Sequence, residues 1–202
     1  MKYTGERVLP DTMNPMNGML LEHIARYQFA IYYSKGRVLD IASGSGFGTQ
    51  LIAKAAKSRL QEVVGVDIDQ EATDYANGRY YHPLVTYKTA DAADPFLPET
   101  LGKFDAIFSF ETIEHISGEI SFLRNLFAML KPGGTLVIST PFGLGRGQPT
   151  TEPFHVHQLT EKEFFSLFDG YNHIERYYQR GVLIEPGRPG RHYPIGIAVC
   201  IK

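Results

Sequence analysis

Apolar residues along the chain alternate between short continuous runs and segments in which they recur every three or four positions. Helical spacing occurs over 19–33, 47–57, 70–80 and 118–130, and strand-like runs occupy 37–41, 62–66, 85–89, 104–110 and 135–140. Strands that alternate with helices through short connections favour βαβ units, in which parallel strands form a sheet with helices on both faces. The pattern therefore predicts an α/β fold with a mostly parallel sheet.

The alternation stops after Pro141. Residues 141–159 are rich in Gly and Pro, which is typical of a long functional loop. Thr160 is predicted to begin a helix, because Glu163 stands three residues later and completes a capping box. Two further strand segments follow at 173–178 and 195–201, joined by a Gly- and Pro-rich loop at 185–194. They predict an antiparallel hairpin at the sheet edge.

Length and charge narrow the class of protein. The chain has 202 residues, which suits one domain. Its formal net charge of -2 gives no excess of positive charge with which to bind a nucleic acid. Cys200 is the only cysteine, so no disulfide can form within the chain. No apolar stretch approaches the length of a membrane span, and the N-terminus is polar rather than signal-like. We expect a cytoplasmic protein without membrane insertion.

The segment VLDIASGSGFGT, residues 38–49, joins the first predicted strand to a helix through three closely spaced glycines. Glycine is favoured where φ must be positive or where a ligand approaches the backbone closely. Acidic residues follow the next strands, at Asp67, Asp91 and Glu111. Ligands of parallel sheets bind at the carboxyl ends of the strands, and an acid at the second strand end can accept from ribose hydroxyls. The arrangement therefore favours a nucleoside ligand.

A dinucleotide fits this loop less well. The glycine spacing is G-x-G-x-G, whereas the dinucleotide fingerprint is G-x-G-x-x-G. Asp40 stands just before the loop, where its charge would oppose a phosphate and suit a cation.

The glycine segment resembles the class I S-adenosylmethionine-dependent methyltransferases, together with VVGVDID, TADAAD, FDAIFSFETIEHI and LKPGGTLVISTP. The resemblance covers about residues 19–140. It implies a Rossmann-like seven-stranded sheet, mostly parallel with an antiparallel last strand, with helices on both faces. It also implies S-adenosyl-L-methionine as the cofactor and S-adenosyl-L-homocysteine as its product. One departure is Ala42-Ser43-Gly44, where the family often has Gly-Cys-Gly.

The resemblance implies a cofactor site built from the N-terminal arm, the first helix and the strand ends: Tyr3, Arg26, Asp40, Ala42, Ser43, Gly44, Asp67, Ile68, Asp91, Ala92, Phe110 and Glu111. In this set Asp40 would face the methionine moiety, Asp67 would bind the ribose hydroxyls and Ile68 would contact the adenine. Asp91 and Ala92 would lie at the adenine amino edge. The arm, which also contains Arg7, would close over the cofactor.

Structural roles are open for several of these residues. Asp67 could cap the helix that begins near Gln70 instead of binding a ligand. Asp91 could serve only as a turn residue. Arg26 could pair with Glu22, four residues earlier on the same helix face.

A hydroxyl acceptor requires a general base, and histidine titrates in the appropriate range. We therefore predict catalytic roles for His115, after the fourth strand, and for His155 and His157 in the long loop. Each histidine could instead hold local backbone in place. His155 and His157 with Glu152 suggest part of a metal site, but no further ligands stand at suitable spacing, so no metal is expected.

The predicted function is methyl transfer from S-adenosylmethionine to an oxygen or nitrogen of a small acceptor such as a sugar, a lipid or a secondary metabolite. Two alternatives are an NAD(P)-dependent reductase and a non-catalytic S-adenosylmethionine-binding partner subunit. The whole chain would form one domain: residues 1–33 close the cofactor site, 34–140 form the cofactor-binding core and 141–202 form the acceptor side. The arm over 1–17 could exchange between subunits, which would give a homodimer.

Overall fold

The structure is a computed structural model that describes residues 7–150 and 152–202, so the predicted site residue Tyr3 lies outside the described residues. Its helices are α1 (Gly18–Ile31), α2 (Phe47–Ala55), α3 (Gln70–Arg79), α4 (Leu97–Leu101), α5 (Glu119–Met129) and α6 (Glu161–Ser166). Its strands are β1 (Gly36–Ile41), β2 (Leu60–Asp67), β3 (Val85–Thr89), β4 (Phe104–Phe110), β5 (Leu130–Pro141), β6 (His173–Arg180), β7 (Leu183–Pro186) and β8 (Ile195–Ile201). Within the described ranges, no helix combines the length and the apolar composition that crossing a membrane requires.

The strands form one sheet in the order β3-β2-β1-β4-β5-β8-β6-β7. The first five strands pair in parallel, and β8 pairs antiparallel with both β5 and β6. The predicted α/β fold class is therefore confirmed, including the antiparallel strands at one side. The described sheet has eight strands rather than seven, because Leu183–Pro186 pairs with β6 as an additional edge strand. A proline at its end fits an edge position, where a backbone donor is not required.

The sheet separates two apolar cores, because successive side chains of a strand point to opposite faces. Val38 packs in the core that includes residues of α1 and α2. Its neighbour Leu39 packs in the core that includes residues of α4, α5 and α6. The predicted capping box is confirmed: the Thr160 hydroxyl accepts from the Glu163 N–H, and the Glu163 carboxylate accepts from the Thr160 N–H. The carboxyl ends of the parallel strands are left to form the site.

Gly48 allows α2 to approach α1. A Cβ at this position would lie 1.9–2.3 Å from carbons of the Tyr27 ring, whose hydroxyl is bound to Asp40. We expect Gly48→Ala to lower the free energy of unfolding by about 1–3 kcal/mol, measured by urea denaturation. The Tyr27 ring is bound to Asp40 through its hydroxyl, so it cannot move away from the added methyl group without a cost. Gly78→Ala is the matched control, since nothing lies within 4 Å of that position in α3. It should raise stability by up to about 1 kcal/mol, and a similar loss in both variants would contradict the packing role of Gly48.

Candidate active site

A cavity of about 570 Å³ opens where β1, β2 and β4 end. Its lining includes ten of the residues predicted for the site: Arg26, Ala42, Ser43, Gly44, Asp67, Ile68, Phe110, Glu111, His115 and His155. A second cavity of about 360 Å³ contains Asp91 and Ala92. The linings of the two cavities share five residues, so the cavities adjoin across the ends of β1, β2 and β4: Ala42, Asp67, Ile68, Glu111 and His115.

The backbone at the ends of β1 and β4 has unusual conformations. Ala42 and Glu111 are non-glycine residues with positive φ, at 57° and 50°, and both line the two cavities. Such conformations cost of order 1 kcal/mol or more and cluster at functional sites. Gly44, with φ of 55°, borders open space, because no atom lies within 4 Å of the position that a Cβ would take. At Gly46 and Gly48, by contrast, a Cβ would meet side chains of the protein itself.

Asp67 is fixed by backbone donors at the end of β2. Its Oδ2 accepts from the Gly44 N–H at 2.8 Å, and its Oδ1 accepts from the Asp69 N–H at 3.0 Å. The residue is 8% exposed and lines both cavities. Asp69, and not Asp67, caps α3, since its Oδ1 accepts from the Glu71 N–H at 2.9 Å. The carboxylate of Asp67 therefore holds the glycine loop in place at the cavity and does not cap α3.

Asp40 lies beneath the glycine loop, outside the lining of either cavity. It is 1% exposed, the Tyr27 hydroxyl donates to both of its oxygens at 3.2 Å, and the Thr49 hydroxyl donates to Oδ2 at 2.6 Å. Burial raises the pKa of Asp40 to about 7, and the charge of Asp67 acts in the same direction, against the two hydroxyl donors. Asp40 would therefore act on a ligand through its charge or through Tyr27, which does line the larger cavity.

Arg26 is a buried cation on α1, with 1% exposure. Its NH1 group donates to the Gln179 side-chain oxygen at 2.7 Å, and NH2 lies 2.9 Å from Nδ1 of His23. Burial, followed by the charge of Arg26, lowers the pKa of His23 to about 4, so His23 is neutral at neutral pH. Among the residues that the structure describes, Nε of Arg26 is buried without a hydrogen-bond partner, and no ion pair with Glu22 forms.

His115 and His155 lie together at one end of the larger cavity. Their ring centroids are 4.8 Å apart in an edge-to-face arrangement. Nδ1 of His115 lies 3.0 Å from the Phe154 carbonyl oxygen, and the Val156 N–H donates to the Glu114 carbonyl oxygen at 2.9 Å. The loop after β5 is thereby held against the turn that carries His115.

Glu114 was missed by the sequence reasoning, although it also lines this end of the cavity. It is buried, and Oε2 accepts from the Thr140 hydroxyl at 3.1 Å. Burial and then the charge of Glu111 raise the pKa of Glu114 well above its usual range. Glu111 itself accepts from the Ser139 hydroxyl at 2.7 Å. The signal that could have found Glu114 is its place in ETIEH, three residues after the strand-end acid Glu111 and next to His115.

His157 lies in a different environment from the other two predicted histidines. Its Nε2 is 3.3 Å from a Glu119 oxygen, and both oxygens of Glu119 accept from Arg146 at 2.7 Å. Burial lowers the pKa of His157, although the charge of Glu119 opposes the shift. His157 lines a separate small cavity with Arg146 at the start of α5. The structure therefore brings His155 to His115 and places His157 elsewhere.

Comparisons with known proteins agree with this geometry. Residues 38–134 match a family model described as a methyltransferase domain. A protein of Mycolicibacterium smegmatis, named as a probable S-adenosylmethionine-dependent methyltransferase, is 32% identical over 82% of this chain and 63% of its own length. The N-methyltransferase NodS of Bradyrhizobium japonicum, solved with S-adenosyl-L-homocysteine, superposes with a TM-score of 0.66 at 16% identity, over 94% of this chain and 89% of NodS. A complex of the Haloferax volcanii Trm112 methyltransferase activator with a methyltransferase gives a TM-score of 0.71 at 15% identity, over 91% of each chain.

These similarities indicate a class I S-adenosylmethionine-dependent methyltransferase, as the sequence motifs predicted. At these low identities the two solved structures show a shared fold and no more. The chain spans 58–63% of the length of three relatives that are named as probable S-adenosylmethionine-dependent methyltransferases.

Proposed function

We propose that the chain transfers a methyl group from S-adenosylmethionine to an oxygen or nitrogen of a small-molecule acceptor. The observation that carries the proposal is the cavity in which Asp67, Ile68 and the open backbone at Gly44 converge at the ends of parallel strands. When bound, the cofactor supplies a methyl group that its sulfonium has already activated. The chain's own contribution is then to bind, align and enclose the reactants.

The residues at the end of β2 suit a nucleoside. Both oxygens of Asp67 accept from backbone N–H groups, and each carboxylate oxygen has further lone pairs that ribose hydroxyls can use. The Ile68 side chain is 70% exposed at the same place, which offers an apolar surface to the adenine. In the adjoining cavity, Asp91 accepts from the Ala93 N–H at 2.8 Å, so its carboxylate is held in place for the adenine amino group.

The opposite wall suits the methionine end of the cofactor. Arg26 brings a buried positive charge to the cavity, and the carboxylate of the cofactor is an anion that could pair with it. Ser43 and Gly44 present backbone there, and Phe110 packs edge-to-face on Tyr27 at 5.1 Å between centroids. We assign these residues to the methionine moiety.

The N-terminal segment is positioned to close the site. Arg7 pairs with Asp69 at 2.8 Å, and the Ser45 hydroxyl of the glycine loop donates to the Val8 carbonyl oxygen at 2.8 Å. Both Arg7 and Val8 line the larger cavity. These contacts support the predicted closing role of residues 1–33.

The acceptor would bind between the cofactor and the group formed by Glu114, His115 and His155. A neutral imidazole of His115 or His155 could take the proton of a hydroxyl acceptor, whereas a neutral amine would not require this step. We assign His157 no part in proton transfer, because it lines a separate cavity with Arg146 and its Nε2 lies 3.3 Å from a Glu119 oxygen. The match to a methyltransferase-domain model does not favour a reductase, and the histidines and carboxylates at the acceptor end do not favour a non-catalytic subunit.

Two predictions about the setting accompany this function. A cytoplasmic location is consistent with the free, buried Cys200, since disulfides are rare in reducing compartments. A homodimer formed by exchange of residues 1–17 would have to break contacts within one chain, because Asp11 binds Arg79 at 2.5 Å. We expect no nucleic-acid partner.

Calorimetric titration with S-adenosylhomocysteine and, separately, with NADH tests the proposal. We expect one site for S-adenosylhomocysteine with a micromolar dissociation constant, and no heat from NADH, because the glycine loop and Asp67 suit a nucleoside without pyrophosphate. A labelled methyl donor then identifies acceptors in a panel of small hydroxyl and amine compounds. Binding of NADH alone would overturn the proposal and favour hydride chemistry.

A further inference from the structure

We propose that Glu114, His115 and His155 bind one divalent transition-metal cation, whose remaining coordination positions face the acceptor end of the larger cavity. The three residues each offer one ligand atom, and these atoms lie within 4.8 Å of one another. All three residues also line the cavity. This grouping differs from the one considered on sequence grounds, which combined His155 with His157 and Glu152 and led to the expectation of no metal.

The distances are compatible with coordination after a small movement. Ligand bonds of about 2.0–2.2 Å in a tetrahedral site place neighbouring ligand atoms roughly 3.4 Å apart. His155 is the residue that can move, because it lies in the loop after β5, whereas Glu114 and His115 occupy a short turn after β4. The Val156 N–H bond to the Glu114 carbonyl keeps the loop at this turn, so the ligands stay together.

Each ligand has an orienting contact of the kind that metal sites use. The Phe154 carbonyl can only accept, so Nδ1 of His115 carries the proton and the lone pair is on Nε2. The Thr140 hydroxyl donates to Oε2 of Glu114 at 3.1 Å. The side-chain amide of Gln158 lies 3.4 Å from Nδ1 of His155, and with the amide turned to present its oxygen, Nδ1–H donates to it and the lone pair of Nε2 is available for the cation.

Charge also favours a cation at this place. Glu111 and Glu114 bring two carboxylates to the same end of the cavity, and Glu114 is buried there. A buried carboxylate is costly unless it is paired or coordinates a metal. Arg26 also acts on Glu114 electrostatically, but the described residues show no ion pair between them.

The donor set indicates which cation to expect. Two imidazoles and one carboxylate suit zinc and its neighbours in the first transition row, and three protein ligands leave a position for water or substrate. An acceptor oxygen could occupy this position next to the cofactor pocket, and the cation would then ease the loss of its proton in place of the two imidazoles, whose lone pairs are used as ligands. This last step rests on the proposed function, whereas the cation site itself does not.

Zinc titration of the metal-free protein tests the site. After treatment with a chelator, the wild-type protein should bind one zinc ion in calorimetry with a dissociation constant in the micromolar range or below. Substitution of a ligand should weaken binding by about 10–100-fold or more, in each of Glu114→Gln, His115→Gln and His155→Gln. Cobalt provides a second readout, since a bound cobalt ion gives visible absorption bands that each of these variants should lose.

Two histidine variants serve as controls. His173→Gln and His192→Gln each remove an exposed imidazole outside the loop and the cavity, so both should bind zinc as the wild type does. Urea denaturation shows whether each variant is folded. If a ligand variant unfolds, it is replaced by His155→Asn, because position 155 lies in a loop rather than in a helix or strand. Absence of a stoichiometric site in the wild-type protein, or unchanged affinity in folded His155 variants, would overturn the proposal.

A titration with S-adenosylhomocysteine on the same samples separates this inference from the proposed function. Zinc binding without nucleoside binding would leave the cation site standing and remove the methyltransferase assignment. Nucleoside binding without zinc binding would remove the cation site and leave the methyltransferase assignment standing.

Discussion

Replacement of Asp67 by alanine should lower the affinity for S-adenosylhomocysteine by about 100-fold or more. Two ribose hydroxyls that donate to a carboxylate contribute about 1.5–3 kcal/mol each, which exceeds a factor of 100 in total. The variant should remain folded but lose about 1–3 kcal/mol of stability, because the Gly44 and Asp69 N–H groups lose their acceptor. Calorimetric titration measures the first effect and urea denaturation the second.

Asp74→Asn is the matched control for this variant. Asp74 lies on α3, seven residues away, and its carboxylate accepts from the exposed Gln70 side chain. The substitution removes the same charge without touching the cavity, so affinity should stay within about twofold of the wild type, as is usual for exposed charges. An equal loss in both variants would indicate a general charge effect, and unchanged affinity in Asp67→Ala would contradict the assigned site.

Much of the fold could be predicted from the sequence, because its elements carry strong periodic signals. The predicted strand 104–110 agrees with β4, and the capping box places the start of α6. Two short elements were missed. β7 has four residues and ends in Pro186, and α4 has five residues, so neither is long enough for a hydrophobic period to show. Their positions depend on tertiary packing, which local sequence does not encode.

The cofactor side of the site was accessible to sequence reasoning for a topological reason. The carboxyl ends of parallel strands meet at one edge, so strand-end residues such as Asp67 and Glu111 are brought together once the strand order is known. The assignments themselves remain predictions until ligand binding is measured. Asp40 shows the limit of the approach, since its position in the motif does not reveal that Tyr27 and Thr49 bind it beneath the loop.

The acceptor side was less accessible, because it depends on the path of an irregular loop. His155 is forty positions from His115 in the sequence, and nothing in a Gly- and Pro-rich segment indicates which of two nearby histidines turns inward. The structure separates them: His155 packs on the His115 ring, and His157 turns to Glu119. The same path brings His155 to Glu114, which is why the proposed cation site was not visible in the sequence.

Asp40→Asn should change the pH dependence of stability. The pKa of Asp40 in the folded chain is about 7, above its usual value of 3.8. Between these two values the folded chain holds a proton that the unfolded chain has lost, so the free energy of unfolding falls as the pH rises, and levels off above pH 7. At about 1.4 kcal/mol per pH unit, this group should remove on the order of 2–3 kcal/mol between pH 5 and pH 8. The asparagine variant should lack this component in urea denaturation.

Thr49→Val provides the matched comparison, because it removes the donor to Asp40 with little change in shape. Without this hydrogen bond the pKa of Asp40 should rise further, so the loss of stability should extend to higher pH than in the wild type. Parallel stability profiles in all three proteins would contradict the role of Asp40. The Asp40→Asn variant should also bind S-adenosylhomocysteine about tenfold more weakly, because we expect the Asp40 carboxylate to attract the α-ammonium group of this ligand, which has no sulfonium. Unchanged affinity would mean that the carboxylate only orients Tyr27 and Thr49.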